Sequence, residues 1–391
     1  MLNSSLIGLN HETEGSALKN STPLSVHLVA AARPNFMKVA PLYHALSEEP
    51  WCRVSLVHTG QHYDKNMSAA FFEDLRLPTP DHHLGVGSGT HAEQTAGVMV
   101  AYERVCVSDR PDWVVVVGDV NSTVACSLVA AKMGIKIAHL EAGLRSFDNT
   151  MPEEINRIVT DSLADLLWTP SPDGDENLHN VGVPASKIEL VGNIMIDSYC
   201  LLQDRIKAAA VPAAIGVRPQ EFAIVTLHRP ANVDHADKLR AITAALIATA
   251  RKIPLVFSVH PRTRAKLDEF GLYDELEQNE AVRLVSPMSY IEFMSLVEQA
   301  KLVITDSGGI QEETTYLGIP CLTLRPNTER PVTVTQGTNQ LLSEDALTGA
   351  VDGILAGRMP AGRRPAFWDG GTAARVVDSL KRHSSISVGS G

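Results

Sequence analysis

The amino-acid sequence predicts an α/β protein with parallel sheets arranged as two compact domains. Strand-like and helix-like patterns alternate along the whole chain, which is how strand–helix–strand units read. Apolar runs such as Trp113-Val114-Val115-Val116-Val117 show no polar alternation, as expected of strands covered on both faces. A length of 391 residues with 44% hydrophobic content is enough for two cores, and the pattern restarts near Gly192.

The first strand is predicted over Ser25–Ala31 and the first helix over about 36–47, where Val39, Leu42 and Leu46 fall at helical spacing. A strand over Val54–His58, a helix over 67–77 and a Pro-, Gly- and His-rich loop over 78–91 follow. A helix over about 93–106 leads into the buried strand Asp112–Val117, a helix ending at Met133, and a second buried strand, Ile135–Leu140. Pro152 marks the next helix start, because its missing N–H is one the first turn leaves unpaired anyway. Short strands at Leu166–Thr169 and Ile188–Val191 close the first domain, residues 25–191.

The second domain, residues 192–366, opens with a helix, a Pro/Ala stretch at 208–219 and a strand over Phe222–Leu227. Next come a helix over 237–251, a strand over Leu255–Val259, a strand over Val282–Leu284 and a helix over 289–298. A strand–turn–helix unit at 302–318 and a strand over Cys321–Leu324 follow. A last helix, over about 371–383 within the segment 367–385, is expected to pack back on the first domain. Residues 1–24 read as a disordered extension, since they lack the basic start and apolar core of a signal peptide.

Composition narrows the function. A net charge of -11 and a pI near 5.7 argue against a nucleic-acid surface. No apolar run approaches the ~20 residues of a membrane span. The cysteines, Cys52, Cys106, Cys126, Cys200 and Cys321, have no metal-like spacing and fit reduced thiols in a cytoplasmic protein.

In open parallel sheets, ligands bind at the carboxyl ends of the strands. This sequence collects polar groups there: Arg33, Gln61-His62, Asp119, Glu141, His228, His260 and Ser307. The most informative stretch is LVITDSGGIQEETTYLG at 302–318. A β-branched run ends in Asp306-Ser307-Gly308-Gly309 and opens into a helix, whose first N–H groups are unpaired and carry the positive end of the dipole. Gly308 and Gly309 let a phosphate approach with no Cβ in the way. Glu313, roughly 9 Å up that helix at 1.5 Å per residue, suits a sugar diol. Read blandly, the stretch is an ordinary βα turn with a solvated Glu pair. Arg33 and Lys38 flank another strand-to-helix turn and suit a diphosphate, as does His228-Arg229. Asp119, Glu141 and Glu153 are acids on successive βα units, costly at buried strand ends unless paired or at work. Arg145 and Arg157 are their expected partners. Neither a P-loop nor a Gly-x-Gly-x-x-Gly dinucleotide fingerprint is present.

Over residues 25–380 the chain resembles the non-hydrolysing UDP-N-acetylglucosamine 2-epimerase family. The matching stretches are ARPNFMKVAPL, TGQHYD, GDVNST, HLEAGLRS, MPEEINR, LVGN, His228-Arg229, TDSGGIQEE and TERP at 328–331, in order. The resemblance implies two Rossmann-like domains with a central cleft, the glycosyltransferase-B arrangement, in a cytoplasmic homodimer that uses neither cofactor nor metal. It implies reversible interconversion of UDP-GlcNAc and UDP-ManNAc through elimination of UDP, a 2-acetamidoglucal intermediate and re-addition. By motif, Asp119, Glu141 and Glu153 resemble the catalytic acids, joined by His228. Arg33, Lys38, His228, Ser307, Gly308 and Gly309 resemble the diphosphate grip, Glu313 the ribose ligand, and Arg157 and Arg330 complete the substrate site. Gln61 and His62 match part of a region where bacterial members hold a second, activating UDP-GlcNAc.

The sequence departs from the family's commoner pattern at Ala31-Ala32-Arg33-Pro34-Asn35, at Pro230-Ala231 after the His228-Arg229 pair, and at Val332 after TERP. The exact UDP-amino sugar therefore stays open, a 2,3-diacetamido uronate being one alternative. A hydrolysing epimerase that releases ManNAc and a glycosyltransferase with the same two-domain cleft are the other readings.

Overall fold

Parallel pairing organises the molecule at every strand of the computed structural model, which describes residues 22–31, 33–60, 72–358 and 362–384, without the side chains of Arg33 and Pro34. The first sheet contains β1 (Leu24–Ala30), β2 (Cys52–His58), β3 (His82–His83), β4 (Trp113–Val117), β5 (Lys136–Leu140), β6 (Leu166–Thr169) and β7 (Ile188–Leu190), in the order β3-β2-β1-β4-β5-β6-β7. The second contains β8 (Ala223–Thr226), β9 (Leu255–Ser258), β10 (Val282–Val285), β11 (Leu302–Thr305), β12 (Cys321–Thr323) and β13 (Asn339–Leu341), in the order β10-β9-β8-β11-β12-β13. Both are doubly wound, Rossmann-like sheets of the glycosyltransferase-B type. Their strand order reverses between β1 and β4 and between β8 and β11, where such sheets bind ligands.

The unalternating strand β4 has its physical reason here. Trp113, Val115 and Val117 enter one core and Val114 and Val116 another, so every position is buried. A single apolar core runs from one face of the first sheet to one face of the second. The helix Ile194–Ala209 bridges it with Ile194, Tyr199, Leu202 and Ile206, between Leu28 and Trp168 on one side and Ile224 and Val303 on the other. The side chain of Asn193 caps this helix by accepting from the Met195 amide at 2.9 Å. The C-terminal helix Thr372–His383 lays Ala373, Val376, Val377 and Leu380 into the same core, and Trp168 Nε1 donates to Ser379 Oγ at 2.8 Å.

Several elements differ from the sequence reading. The first helix begins at Arg33 rather than near Phe36, so Arg33 lies in its first turn instead of in the loop before it. Two nine-residue helices absent from the sequence reading, Pro172–Asn180 and Pro261–Glu269, each open on a proline just beyond a strand. Part of the Pro/Ala stretch forms the helical turn Val211–Ala214. The helix Glu344–Leu355 had no counterpart in the sequence reading, though Leu347, Val351 and Ile354 bury one face of it. Of the helix expected over 67–77, residues 67–71 lie outside the described residues, and 72–74 are helical. No helix among the described residues is long and apolar enough to cross a membrane.

Candidate active site

The polar residues at the carboxyl ends of β1, β4 and β5 assemble into one cluster. Gly118, at the end of β4, adopts φ +70°, and a Cβ there would meet Lys38 Nζ at 3.3 Å and Glu141 Oε2 at 3.4 Å. Glycine at this turn lets Lys38 and Glu141 form a buried ion pair directly above the backbone. Lys38, expected to grip phosphate, is thus engaged by an acid of its own domain. Glu141 itself holds φ +72°, a left-handed conformation costly for a non-glycine residue and common where function over-determines the backbone. Asp119 lies partly exposed, and Arg157 Nη1 contacts its Oδ2 at 2.5 Å.

Arg157 was expected to complete the substrate site, but it is buried and divides its guanidinium between Asp119 and Glu154. Glu154, rather than Glu153, is the buried acid of the MPEEINR stretch: it accepts from Arg157 Nε at 3.0 Å, Ser146 N at 2.9 Å and Phe147 N at 3.1 Å. Burial alone would raise its carboxyl, and these donors carry it below its ordinary value instead. Glu153 is exposed on the first turn of the helix Pro152–Leu163, outside this network. Arg145 likewise pairs elsewhere, with Asp161 at 2.6 Å. His139 bridges Asp161 at 2.7 Å and the Gly118 carbonyl at 2.8 Å, so Asp161 and His139 brace the turn that carries Asp119.

The second sheet contributes an opposing set. Asp306, fully buried at the end of β11, accepts from the amides of His228 at 3.1 Å and Arg229 at 3.0 Å and from Asn232 Nδ2 at 3.1 Å. His228 Nδ1 lies 3.0 Å from its Oδ1, which leaves Nε2 of this half-exposed ring available. Burial would raise the Asp306 carboxyl, but His228 and these donors hold it below its usual range. Ser307 precedes the helix Gly308–Leu317 and makes no side-chain cap, so its hydroxyl and the first amides are not spent on each other. The two glycines differ: a Cβ on Gly309 would meet open space, whereas one on Gly308 would lie 2.6 Å from Glu329 Oε1 and 2.8 Å from Arg330 Nη1. A side chain at Gly308 would therefore push against the Glu329–Arg330 ion pair, and Gly309 is the one open to an approaching anion.

Arg330 joins the two sets. It pairs with Glu312 at 2.8 Å and Glu329 at 2.6 Å, and the charges of Glu141 and Asp119 from the first sheet act on it as well. Glu312 in turn feels Glu141 and Lys38. Burial pushes the Glu312 carboxyl up, while Arg330 and Arg325 hold Glu329 well down against its own burial. Glu313 is also buried, and desolvation pushes it up to about 8, with Glu312 adding to the rise and the Tyr290 hydroxyl offsetting part of it.

The structure thus brings Lys38, Glu141, Asp119, Arg157 and Arg330 together, with His228, Ser307, Gly308 and Gly309 at the second sheet's edge. It leaves Glu153 exposed and Glu313 enclosed in the helix Gly308–Leu317. Gln61, His62 and the side chain of Arg33 lie outside the described residues. Sequence reasoning missed Glu154, Asp161, Glu312 and Glu329. Glu329 sits inside the TERP stretch and Glu312 inside TDSGGIQEE, so both were in view. Nothing short of the fold tells which member of a Glu-Glu pair faces inward.

A family model for UDP-N-acetylglucosamine 2-epimerase matches residues 44–381. UDP-N-acetylglucosamine 2-epimerase of Methanocaldococcus jannaschii is 40% identical over 366 residues, covering 91% of this chain and 99% of that protein. Its crystal structure in complex with UDP-GlcNAc and UDP superposes with a TM-score of 0.83 at 39% identity, over 92% of this chain and 100% of that one. UDP-2,3-diacetamido-2,3-dideoxy-D-glucuronate 2-epimerase of Pseudomonas aeruginosa is 40% identical over 323 residues, 82% of this chain and 88% of that protein.

Proposed function

The chain belongs to the UDP-N-acetylglucosamine 2-epimerase family, and from that premise we propose that it interconverts UDP-GlcNAc and UDP-ManNAc by inverting C2 without releasing free sugar. The observation that carries this reading is the charge array in which Glu141, paired with Lys38, and Asp119, paired with Arg157, act from one sheet on Arg330 beside the Ser307–Gly309 helix start of the other. Residues 25–191 and 192–366 form the two lobes of the cleft.

The chemistry needs both sides. C2 is not adjacent to a carbonyl, so its proton is not acidic in the resting sugar. Departure of UDP from C1 builds positive charge there and acidifies it. Loss of the proton leaves a 2-acetamidoglucal beside bound UDP; protonation from the opposite face and return of UDP give the epimer. Asp119, Glu141 and Glu153 supply the general acid–base groups. Arg33, Lys38, His228 and the Ser307–Gly309 amides take the charge of the leaving diphosphate, and Glu313 accepts from the ribose diol. Exposure suits Glu153 to this work, since an acid without a buried partner is available to a substrate that closes the cleft. Gln61 and His62 help hold a second, activating UDP-GlcNAc, which predicts a lag in UDP-ManNAc turnover that added UDP-GlcNAc abolishes.

Incubation with UDP-GlcNAc in D2O, followed by proton NMR, tests the reading. Deuterium at C2 together with a ManNAc-type anomeric signal still attached to UDP is expected. Accumulation of UDP and free ManNAc would make the enzyme hydrolytic, and the absence of any new sugar nucleotide would favour a transferase. The similarity to the Pseudomonas enzyme and the Pro230-Ala231 departure make a 2,3-diacetamido uronate the second substrate to assay.

A further inference from the structure

Outside the catalytic cleft, three donors of the kind that bind transition metals converge beside the first sheet. His27 lies on β1, His82 on the edge strand β3, and Asp109 caps the C-terminus of the helix His91–Ser108. One donor atom from each lies within 4.8 Å of the others. Arg53 and Ser25, at the amino ends of β2 and β1, flank Asp109, while His82 pairs beside Val57 toward the other end of β2 at the edge of the sheet.

We propose that His27, His82 and Asp109 form a binding site for a divalent transition-metal ion of the zinc class, with water completing a tetrahedral set. Asp109 Oδ2 is 3.5 Å from His27 Nε2 and 3.0 Å from His82 Nε2. Donors at zinc distances of roughly 2.0 to 2.2 Å around a tetrahedron stand about 3.3 to 3.6 Å apart, close to this spacing. His27 Nε2 is fully buried and makes no hydrogen bond, a costly state for a ring nitrogen that a cation would relieve. The Tyr102 hydroxyl lies 3.2 Å from the other nitrogen, Nδ1, and in the metal-bound tautomer it would accept from Nδ1–H and leave the Nε2 lone pair facing the cluster, the support that ligating histidines ordinarily have. Arg53 occupies the other oxygen of Asp109, Oδ1, at 3.0 Å and so orients the carboxylate without consuming Oδ2. His82 and Asp109 are partly exposed, which gives an ion a way in. Such an ion would tie the two-residue strand β3 to the sheet and to the helix behind it.

The full-length protein, stripped with chelator, incubated with zinc chloride and dialysed, should retain about one zinc per chain, and its melting temperature should rise with zinc concentration. Cobalt(II) should give the visible absorption of tetrahedral coordination. His82→Ala should weaken retention by at least ~100-fold, remove the cobalt band and the thermal shift, and leave epimerisation unchanged, since His82 touches none of the reaction groups. Tyr102→Phe, which conserves the buried ring, should weaken binding by roughly 10- to 100-fold. Failure of the wild type to retain metal, or equal retention by wild type and His82→Ala, would overturn the site and leave a hydrogen-bonded polar cluster in its place. Neither readout depends on the substrate of the cleft.

Discussion

Glu153 and Glu154 are adjacent, identical in chemistry and opposite in environment. Glu154 is closed in by Arg157, Ser146 and the Phe147 amide, so Glu154→Gln should destabilise the fold by ~3 kcal/mol, read as a lower urea midpoint. Glu153→Gln should leave that midpoint in place while cutting turnover by on the order of 10²-fold, as should Asp119→Asn and Glu141→Gln, with UDP still bound. Near-normal turnover in Glu153→Gln would remove it from the reaction. Glu313 makes a pH prediction. Burial raises its carboxyl to about 8, so it is protonated at neutral pH in the nucleotide-free protein. Ribose hydroxyls donating to it stabilise the carboxylate, so binding lowers its pKa and expels a proton. UDP affinity should therefore climb as pH rises toward about 8 and flatten above it, with proton release detected by calorimetry in buffers of different ionisation enthalpy. Glu313→Gln should abolish the climb relative to wild type; an unchanged slope would show that the ribose does not use this group.

At the scale of elements, the helix Gly308–Leu317 and the C-terminal helix carry separable consequences. A Cβ at Gly309 meets open space, so Gly309→Ala should keep the melting temperature yet weaken UDP binding by about 10-fold if phosphate lies against that backbone. Leu380, fully buried between the last helix and the first sheet, should cost ~3 kcal/mol on truncation to Ala in a denaturant titration. These same elements mark how far the sequence could be read. Strand β4 and the 302–318 unit were legible because an unbroken valine run and a glycine turn leave few other structures. The helices Pro172–Asn180 and Pro261–Glu269 are short and mostly polar, so they leave no apolar periodicity to read. The helix Glu344–Leu355 was readable in principle, from Ser343 and the spacing of Leu347, Val351 and Ile354. The strands β3 and β13, of two and three residues, exist through pairing with a neighbour and leave no periodicity to find.

Across the whole molecule, two doubly wound sheets share one apolar core and meet at Arg330, whose partners come from its own domain and whose electrostatic environment reaches Glu141 and Asp119 of the other. The motifs singled out Lys38, Asp119, Glu141, Arg157 and Arg330, which the fold brings together. Arg157 was legible as a partner of Asp119, but the pairing of Lys38 with Glu141 and of Arg145 with Asp161 was not, because packing between segments far apart in the chain decides it. What that array is for, in this account, is the reversible rupture of the bond between C1 and the diphosphate oxygen. UDP-GlcNAc labelled with 18O in that bridging position tests it most directly. If UDP leaves and returns within the closed cleft, the recovered sugar nucleotides will carry the label redistributed into the non-bridging β-phosphate oxygens, at a rate comparable with epimerisation. Epimer formed with the label still wholly in the bridge would mean that the bond never opens, and the account would be contradicted.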